Sequence, residues 1–322
     1  MTDAAAHAAI ERPTAAATDA GTPIRGNPFA SLYRLLALTL VAALVLVPLL
    51  ATALGGFKSL GELRVNAFGL PQVWVWQNYW DILMPAELQS AAAWSDVSQW
   101  GANLATLATH KYWQFLGNSL VIGLLTVALT LAVAAPAAFA FAHLKFFGDR
   151  FLFNYLVLGL TFPFATAILP LFIKIRDLGL LDTHWGIVLP QVAFGLAISV
   201  LLLRNAFRQL PFELVESALM DGCSYSRIFF SIILPLSRPI LATVSIIAFV
   251  TSWNNFLLPL VVLNTTRKYP WPMGLMEYQG EYMTYWQLVL AFITLTILPA
   301  IIVFVLAQRH VVAGLTAGAV KG

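Results

Sequence analysis

Six stretches of this chain are long and apolar enough to cross a lipid bilayer as α-helices. The hydrocarbon core of a bilayer takes about 20 apolar residues in helical form. A backbone that faces lipid must also satisfy its own hydrogen bonds, which a helix does within one segment. The sequence therefore predicts an all-α polytopic membrane protein with about six transmembrane helices, at residues 31–54, 116–142, 151–173, 185–206, 238–262 and 287–309.

Composition supports this class and excludes several others. Of the 322 residues, 60% are apolar and 10% are charged, with a mean hydropathy of +0.80, whereas soluble domains carry about 25% charged residues. The net charge of +3 comes without a dense Lys/Arg run, which argues against nucleic-acid binding. Cys223 is the one cysteine, so no intrachain disulfide can form. The histidines are far apart in sequence, and no metal site is predicted.

The distribution of basic residues predicts the side of the membrane that each loop occupies. With the N-terminus inside, eleven of the 18 Lys and Arg residues fall on inner segments, and such an excess is typical of the cytoplasmic side. The predicted topology is N-inside and C-inside. It gives a disordered cytoplasmic tail at 1–28 and a transmembrane domain at 29–322, with outer loops at 55–115 and 264–286, a cytoplasmic hairpin at 208–237 and a cytoplasmic tail at 310–322.

Prolines and amides interrupt the apolar spans. Each proline removes a backbone hydrogen bond and tends to kink its helix; they are Pro136, Pro163, Pro170, Pro190, Pro259 and Pro299. Broken helices occur both in moving membrane proteins and in static bundles. Four intramembrane amides are candidates for a substrate path, although such groups more often hydrogen-bond between helices: Asn118, Gln191, Asn254 and Asn255.

The two outer loops are rich in aromatic residues. The first contains PQVWVWQNYWDIL, which fits either an aromatic belt at the membrane surface or a contact with a partner. The second, at 264–286, combines polar, aromatic and methionine residues, a composition that suits an adaptable contact surface.

The stretch ESALMDGCSYSRIFFSIILP, residues 216–235, is polar in an otherwise apolar chain. Its spacing predicts a short helix that begins near Pro211, ends at Gly222 and is followed by a second helix capped by Ser224 and ended or kinked by Pro235. One helical stripe of the first helix is apolar: Leu214, Val215, Ala218 and Leu219.

The polar face of this predicted hairpin distinguishes two environments. A helix that lies on the bilayer usually carries Lys and Arg on its polar face. Here that face carries Glu213, Glu216 and Asp221, and Arg227 comes only after the turn. The acidic face favours docking into a protein socket over a lipid surface.

The same stretch resembles the EAA loop of binding-protein-dependent ABC importer permeases. The family pattern is E-A-A, three residues, G, nine residues and I-x-L-P. Glu216-Ser217-Ala218, Gly222 and Ile232-x-Leu234-Pro235 match this spacing, with Ser217 in place of the first alanine. Three further segments resemble carbohydrate permeases of the maltose G-type: FLGNSLVIGLLTVALTLAVAAPAAFAFAHLKFFGDR, SWNNFLLPLVVL and the C-terminal AQRHVVAGLTAGAVKG. The resemblance covers about residues 30–322, while 1–28 and about 86–110 look like additions.

The resemblance implies the MetI-like permease fold and the membrane half of an ATP-driven sugar importer in a bacterial or archaeal inner membrane. It implies four kinds of partner: a second homologous permease, a pair of ATPase subunits, an extracytoplasmic solute-binding protein and a sugar substrate, a di- or oligosaccharide. ATP and Mg would belong to the ATPase subunits, so no cofactor is expected on this chain. The chain has no G-x-x-x-x-G-K-[ST], H-E-x-x-H or G-x-S-x-G motif, so it is not expected to be an enzyme and no catalytic residue is predicted.

The resemblance also assigns roles to residues. Coupling to the ATPase falls to Glu216, Ser217, Ala218, Asp221, Gly222, Ile232, Leu234 and Pro235. Contact with the solute-binding protein falls to Met273, Gly274, Met276, Tyr278 and Gln279. Two alternatives stay open. One is an ABC permease for a polyol or a glycerol-phosphate-type solute; the other is a stand-alone secondary transporter, which would need paired ionisable residues inside the spans.

Overall fold

The computed structural model of this protein describes residues 28–299 together with Ile301 and Val305. The chain divides into two compact units, Met1–Pro48 and Leu49–Gly322. The tails predicted at 1–28 and 310–322 lie outside the described residues, except for Pro28. Helices dominate the described part, which contains one isolated β-bridge, between Gln279 and Thr284.

Fourteen α-helical segments can be named along the described residues. They are α1 Pro28–Gly56, α2 Leu60–Val65, α3 Gln77–Leu83, α4 Trp100–Ala108, α5 Lys111–His143, α6 Asp149–Leu158, α7 Phe164–Asp177, α8 Trp185–Phe207, α9 Glu213–Met220, α10 Tyr225–Ile228, α11 Leu234–Leu236, α12 Arg238–Trp253, α13 Leu257–Val262 and α14 Trp286–Pro299. Short 3₁₀ segments lie at Ala86–Leu88, Ala91–Trp94, Val97–Gln99, Gly159–Thr161, Thr266–Lys268 and Trp271–Tyr278, and a π-helical segment lies at Phe229–Ile233.

Three of the predicted spans are continuous helices of membrane-crossing length. They are α1, α5 and α8. Each is long and apolar enough to cross a membrane. Pro136 and Pro190 lie inside α5 and α8, and both helices continue through them. The second span is longer than predicted, because α5 begins at Lys111 rather than at residue 116.

The span predicted at 151–173 is not one straight helix. Asp149–Thr161 and Phe164–Asp177 meet at an angle of 104°. Pro163 lies at the break, and Phe162 before it has an extended backbone with ψ 117°. Proline lacks the amide hydrogen that would continue the helix and disfavours helical geometry in the preceding residue. The sequence therefore contained the cause of this break.

The span predicted at 238–262 is also divided. Helix α12 ends at Trp253, and α13 begins at Leu257. The Asn255 side chain accepts a hydrogen bond from the backbone N of Leu258 at 3.2 Å, so a polar side chain starts the second piece where a continuous helix was predicted. The sixth predicted span, 287–309, is described as α14 up to Pro299, and its remainder lies largely outside the described residues.

Two buried clusters lie at opposite ends of α5. The loop-end core contains Tyr79, Ile82, Tyr112, Phe115, Trp253, Trp271, Ala291, Phe292 and Leu295. The hairpin-end core contains Ala134, Ala135, Ala138, Phe139, Val200, Leu203, Phe207, Val215, Ala218, Ile228, Phe229, Ile233 and Val244. The small α5 residues of this second core are almost fully buried, and small side chains let membrane helices approach closely. Helix α5 therefore connects the two outer loops with the hairpin.

Candidate functional site

Helix α9 forms the first half of the predicted hairpin. It begins at Glu213, and Glu213 and Glu216 lie in its first turn, where the helix dipole favours acids. Val215 and Ala218 are buried in the hairpin-end core. Leu214 and Leu219, which were predicted on the same apolar stripe, are 39% and 36% exposed, because the stripe spans about 140° at 100° per residue and only its centre meets the core.

The turn of the hairpin has the geometry that the sequence predicted. Gly222 has a φ of +78°, in the left-handed region that glycine adopts without a Cβ clash. The backbone N of Gly222 donates to Leu219 O at 3.0 Å, and that of Cys223 donates to Ala218 O at 2.9 Å. This is the Schellman pattern of a helix C-terminus. The prediction that Gly222 ends the first helix is confirmed.

The second half of the hairpin begins at a capped helix and ends at a sharp bend. Ser224 Oγ accepts a hydrogen bond from Arg227 N at 3.4 Å, as predicted for a cap. A π-helical segment, Phe229–Ile233, follows. Tyr225–Leu236 then meets α12 at 80°, close to Pro235. The hairpin is therefore continuous in the chain with the start of α12, across this bend.

The eight motif residues divide between surface and core. Glu216, Ser217, Asp221, Gly222 and Pro235 are exposed, Ile232 and Leu234 are half-buried, and Ala218 is buried. The ion pairs of the described residues lie elsewhere, at Lys111–Glu277, Arg176–Asp177 and Lys268–Asp182. The hairpin thus presents unpaired carboxylates beside the exposed side chains of Leu214, Leu219 and Met220. Such a surface can seat in a partly basic, partly apolar socket.

A cavity of about 340 Å³ lies among α5, α7, α8 and α12. Its wall is mostly apolar, and we call it the polar cavity after the amide and hydroxyl groups that interrupt this wall. The Gln191 side-chain oxygen accepts hydrogen bonds from Thr126 Oγ1 at 3.0 Å and from Ser252 Oγ at 2.7 Å. Its Nε2 is buried and has no partner among the described residues. Two neighbouring helices thus fix one end of this amide and leave its donor end free.

Aromatic and further polar groups complete the cavity. Phe164 and Phe194 both line it, with ring centroids 4.9 Å apart in an edge-to-face arrangement, and Asn255 also lines it. The structure therefore brings together two of the four predicted substrate-path residues, Gln191 and Asn255. The sequence analysis missed Thr126 and Ser252, since hydroxyl residues are frequent in apolar helices and nothing in their local sequence marks them.

The other two predicted substrate-path residues lie elsewhere. Asn118 Nδ2 donates to the backbone oxygens of Arg267 and Tyr269 at 2.7 and 2.9 Å, which ties the outer loop to α5. Asn254 is exposed and its Nδ2 donates to Val250 O at 2.8 Å within its own helix. Neither residue lines the cavity, and their place on a substrate path stays a prediction.

Comparison with known proteins places the chain in a family. The family model of the binding-protein-dependent transport system inner membrane component matches residues 132–316, more than half of the chain. The chain belongs to this family of membrane permeases.

Individual relatives are similar along most of the permease. It is 35% identical over 284 residues to the diacetylchitobiose uptake system permease protein NgcG of Streptomyces coelicolor, covering 87% of this chain and 86% of the relative. It is 31% identical over 306 residues to the arabinooligosaccharides transport system permease protein AraQ of Bacillus subtilis, covering 93% and 100%. A crystal structure of a bacterial ABC transporter that imports alginate matches with a TM-score of 0.71 at 22% identity, over 89% of this chain and 99% of that one.

These matches confirm the predicted family and fold. The structural match shows the all-α ABC importer permease fold, and the sequence matches extend through the hairpin. The permease is therefore a multi-pass inner-membrane component of a transport system.

The outer loop of the permease is more buried than the sequence predicted. Met273 is 1% exposed, and a Cβ on Gly274 would lie 2.4 Å from the Phe292 ring. Tyr278 packs on Phe292 at 5.6 Å, and burial raises the pKa of its phenol. Met273 and Gly274 are thus buried and Tyr278 is half-buried, because the loop folds over α5 and α14. Their contact with a binding protein stays a prediction. Met276 and Gln279 are exposed, as a contact with a binding protein requires.

A single carboxylate joins the outer ends of two broken spans. Asp182, in the turn between α7 and α8, accepts hydrogen bonds from Asn264 N at 3.0 Å, Thr265 N at 2.9 Å and Lys268 Nζ at 2.8 Å. Its own backbone N donates to Val262 O at 2.8 Å. The Lys268 ammonium and the Thr265 hydroxyl hold the pKa of Asp182 well below its usual range. The sequence analysis missed this clamp, since the residues it joins are about 80 positions apart.

Proposed function

We propose that the permease is the membrane subunit of an ATP-driven importer for a di- or oligosaccharide, and that its hairpin docks on a separate ATPase subunit. The observation that carries the proposal is the hairpin itself. It is fixed to the membrane helices through Val215 and Ala218, and its outward face carries unpaired acids beside exposed apolar residues. ATP and Mg would be bound by the ATPase subunits, since the sequence has no phosphate loop.

The proposed mechanism follows from how the hairpin is connected. Docking on a moving ATPase would displace α9 and, through the 80° bend at Ser237, the start of α12. Helix α12 contributes Ser252 to the Gln191 hydrogen bonds, so the same displacement would alter the polar cavity. Closure of the ATPase pair would in this way switch the cavity between the two sides of the membrane. A second homologous permease would supply the opposite wall.

The sugar class is supported by the chemistry of the cavity and by the relatives. Hydroxyls, amides and aromatic faces are the groups that a binding site offers a ligand with one polar and one apolar side. The cavity combines all three, in Ser252, Gln191 and Phe164. Relatives named for diacetylchitobiose, arabinooligosaccharides and trehalose transport are 31–38% identical to this chain, which favours a sugar over a polyol. An extracytoplasmic solute-binding protein would deliver it.

Reconstitution with the candidate partners tests the proposal. The Glu216→Lys variant is expected to lose the co-purifying ATPase subunit and all ATP-dependent uptake in proteoliposomes, because a cation replaces an acid on the docking face. Glu281→Lys, at an exposed position of the outer loop, is the matched control and is expected to retain the ATPase subunit. A coupled, stoichiometric ATPase on Glu216→Lys would contradict the docking. Uptake of a polyol in preference to oligosaccharides would contradict the sugar class.

A further inference from the structure

A second cavity, of about 860 Å³, lies at the hairpin end of the permease. It is bounded by the last turn of α5, the loop 144–148, the start of α6 and the last turns of α8. It is separate from the polar cavity around Gln191, and the two share no lining residue. No residue of α9 or of the motif at 216–235 lines this second cavity. Phe212, which precedes α9, forms part of the cavity wall.

The charge of this cavity is strongly unbalanced. Four cationic side chains line it against one acid, Asp149: Lys145, Arg150, Arg204 and Arg208. None of the four has a carboxylate of the described residues within 4.0 Å, since the ion pairs found there lie elsewhere. Clustering unpaired cations is unfavourable unless an anion neutralises them.

Arg204 is held in place while its outer nitrogens remain available. Its Nε donates to Phe141 O at 3.1 Å, and its guanidinium carbon lies 3.8 Å from the centre of the Phe153 ring. The two Nη groups have no hydrogen-bond partner among residues 28–299. A guanidinium fixed in this way is prepared to donate two hydrogen bonds to a phosphate.

Exposed aromatic side chains lie at the cavity and on the helix beside it. Phe147 is fully exposed, and Phe151 and Tyr155 on the adjoining α6 are 72% and 69% exposed. Helices α5 and α8 end here, so we expect the cavity at the boundary between the hydrocarbon region and water. A ligand at this depth has an anionic group among the cations and apolar chains against the exposed aromatic rings.

We propose that this cavity binds the head group of an anionic phospholipid. Basic pockets between transmembrane helices at the membrane surface suit such head groups. A soluble phosphate compound would match the cations but would leave the exposed rings uncovered, and an acidic protein surface would not enter a recess between membrane helices. Because Phe212 leads into α9, the bound lipid would also support the base of the hairpin. The inference concerns a lipid and does not depend on which solute is transported.

Native mass spectrometry of the purified full-length chain tests this site, with phosphatidylglycerol and phosphatidylcholine as probes. Wild type is expected to retain phosphatidylglycerol in preference to phosphatidylcholine. A variant with Lys145→Gln, Arg150→Gln and Arg208→Gln is expected to bind phosphatidylglycerol at least about tenfold more weakly, since each cation near an anionic surface contributes about a factor of five. These three side chains are exposed, so the helices should still fold.

Two further variants control for charge and for position. Lys145→Arg, Arg150→Lys and Arg208→Lys preserve the charge and should retain the lipid. Arg64→Gln, Lys174→Gln and Arg176→Gln remove three exposed charges from the other end of the molecule and should retain it too. Equal binding by wild type and the first variant, or equal loss in the outer variant, would overturn the proposal.

Two other outcomes would assign the cavity to a different occupant. Displacement of phosphatidylglycerol by millimolar inorganic phosphate, with the same dependence on the three cations, would identify a site for a soluble anion. Loss of a co-purifying ATPase subunit from the first variant, with lipid binding unchanged, would identify a protein contact. Either result overturns the lipid assignment.

Discussion

Asp182 is the one non-glycine residue with positive φ among the described residues, at +54°. Asparagine adopts this conformation as readily as aspartate, so Asp182→Asn removes the charge without adding backbone strain. We expect the variant to lose about 1–3 kcal/mol of stability, because charge-assisted hydrogen bonds to Lys268 and the backbone are weakened. The unfolding midpoint in detergent measures this loss.

A matched variant separates this clamp from a general effect of charge. Asp177→Asn removes a carboxylate that pairs with the adjacent Arg176 at the surface, where ion pairs contribute little. We expect an unchanged midpoint for Asp177→Asn, and equal losses in both variants would argue against the clamp.

The low pKa of Asp182 also fixes the pH range of its contribution. A carboxylate whose pKa is lowered by folding stabilises the protein above its ordinary value of about 3.9 and loses that effect as pH falls through the folded value. The difference between wild type and Asp182→Asn should therefore be constant from about pH 5 to pH 8 and should shrink only in stronger acid.

The hairpin is the element whose geometry is most open to test. Gly222 and Gly179 both have positive φ, +78° and +68°, and a Cβ at either position meets no atom within 4 Å. Replacing either glycine by alanine should cost the same 1–2 kcal/mol, about the penalty for a left-handed residue with a Cβ. We expect Gly222→Ala to lower the ATPase activity of the assembled complex and Gly179→Ala to leave it unchanged, after both are compared for thermal stability.

This pair distinguishes turn geometry from stability alone. If both variants reduced activity equally, the loss would follow stability and the hairpin would have no special role. If Gly222→Ala remained fully active, the turn angle would not matter for docking.

At the scale of elements, the sequence predicted the hairpin well and the spans partly. Gly222 and Ser224 act locally, through turn and cap geometry. A short stretch of sequence was therefore enough to predict the hairpin. The break at Pro163 was foreseeable from the proline, but the break at Asn255 was not, because it depends on a side chain that bonds the next turn. Gly274 is buried against Phe115 and Phe292, and Met273 is buried in a cluster with Ile122 and Ile187. Most of these partners are distant in sequence.

At the scale of the whole molecule, the permease is expected to depend on other chains for its energy source. We expect the purified chain alone to show no ATP hydrolysis, because its sequence has no phosphate-binding loop. Hydrolysis should appear only when ATPase subunits are added, and should rise with a ligand-loaded solute-binding protein. The check is phosphate release by the chain before and after a denaturing wash that strips bound subunits; persistent turnover in the refolded chain would refute this.

The packing of separate helices explains why no single segment of the sequence predicts the polar cavity. Gln191, Thr126 and Ser252 come from three helices, and only their packing brings the amide and hydroxyl groups together. The sequence identified Gln191 and Asn255 as polar exceptions in apolar spans. It placed Asn118 and Asn254 in the same class, because residue type alone does not tell an amide that lines a cavity from one that bonds the backbone.

Helix α5 runs unbroken for 33 residues, about 50 Å, while the third and fifth spans are divided. Its first turns belong to the loop-end core and its last turns to the hairpin-end core. A rod of this length multiplies small rotations: a tilt of about 10° at the hairpin end would carry the other end sideways by about 9 Å. Through α5, a tilt of about 10° at one membrane face would thus become a displacement of about 9 Å at the other.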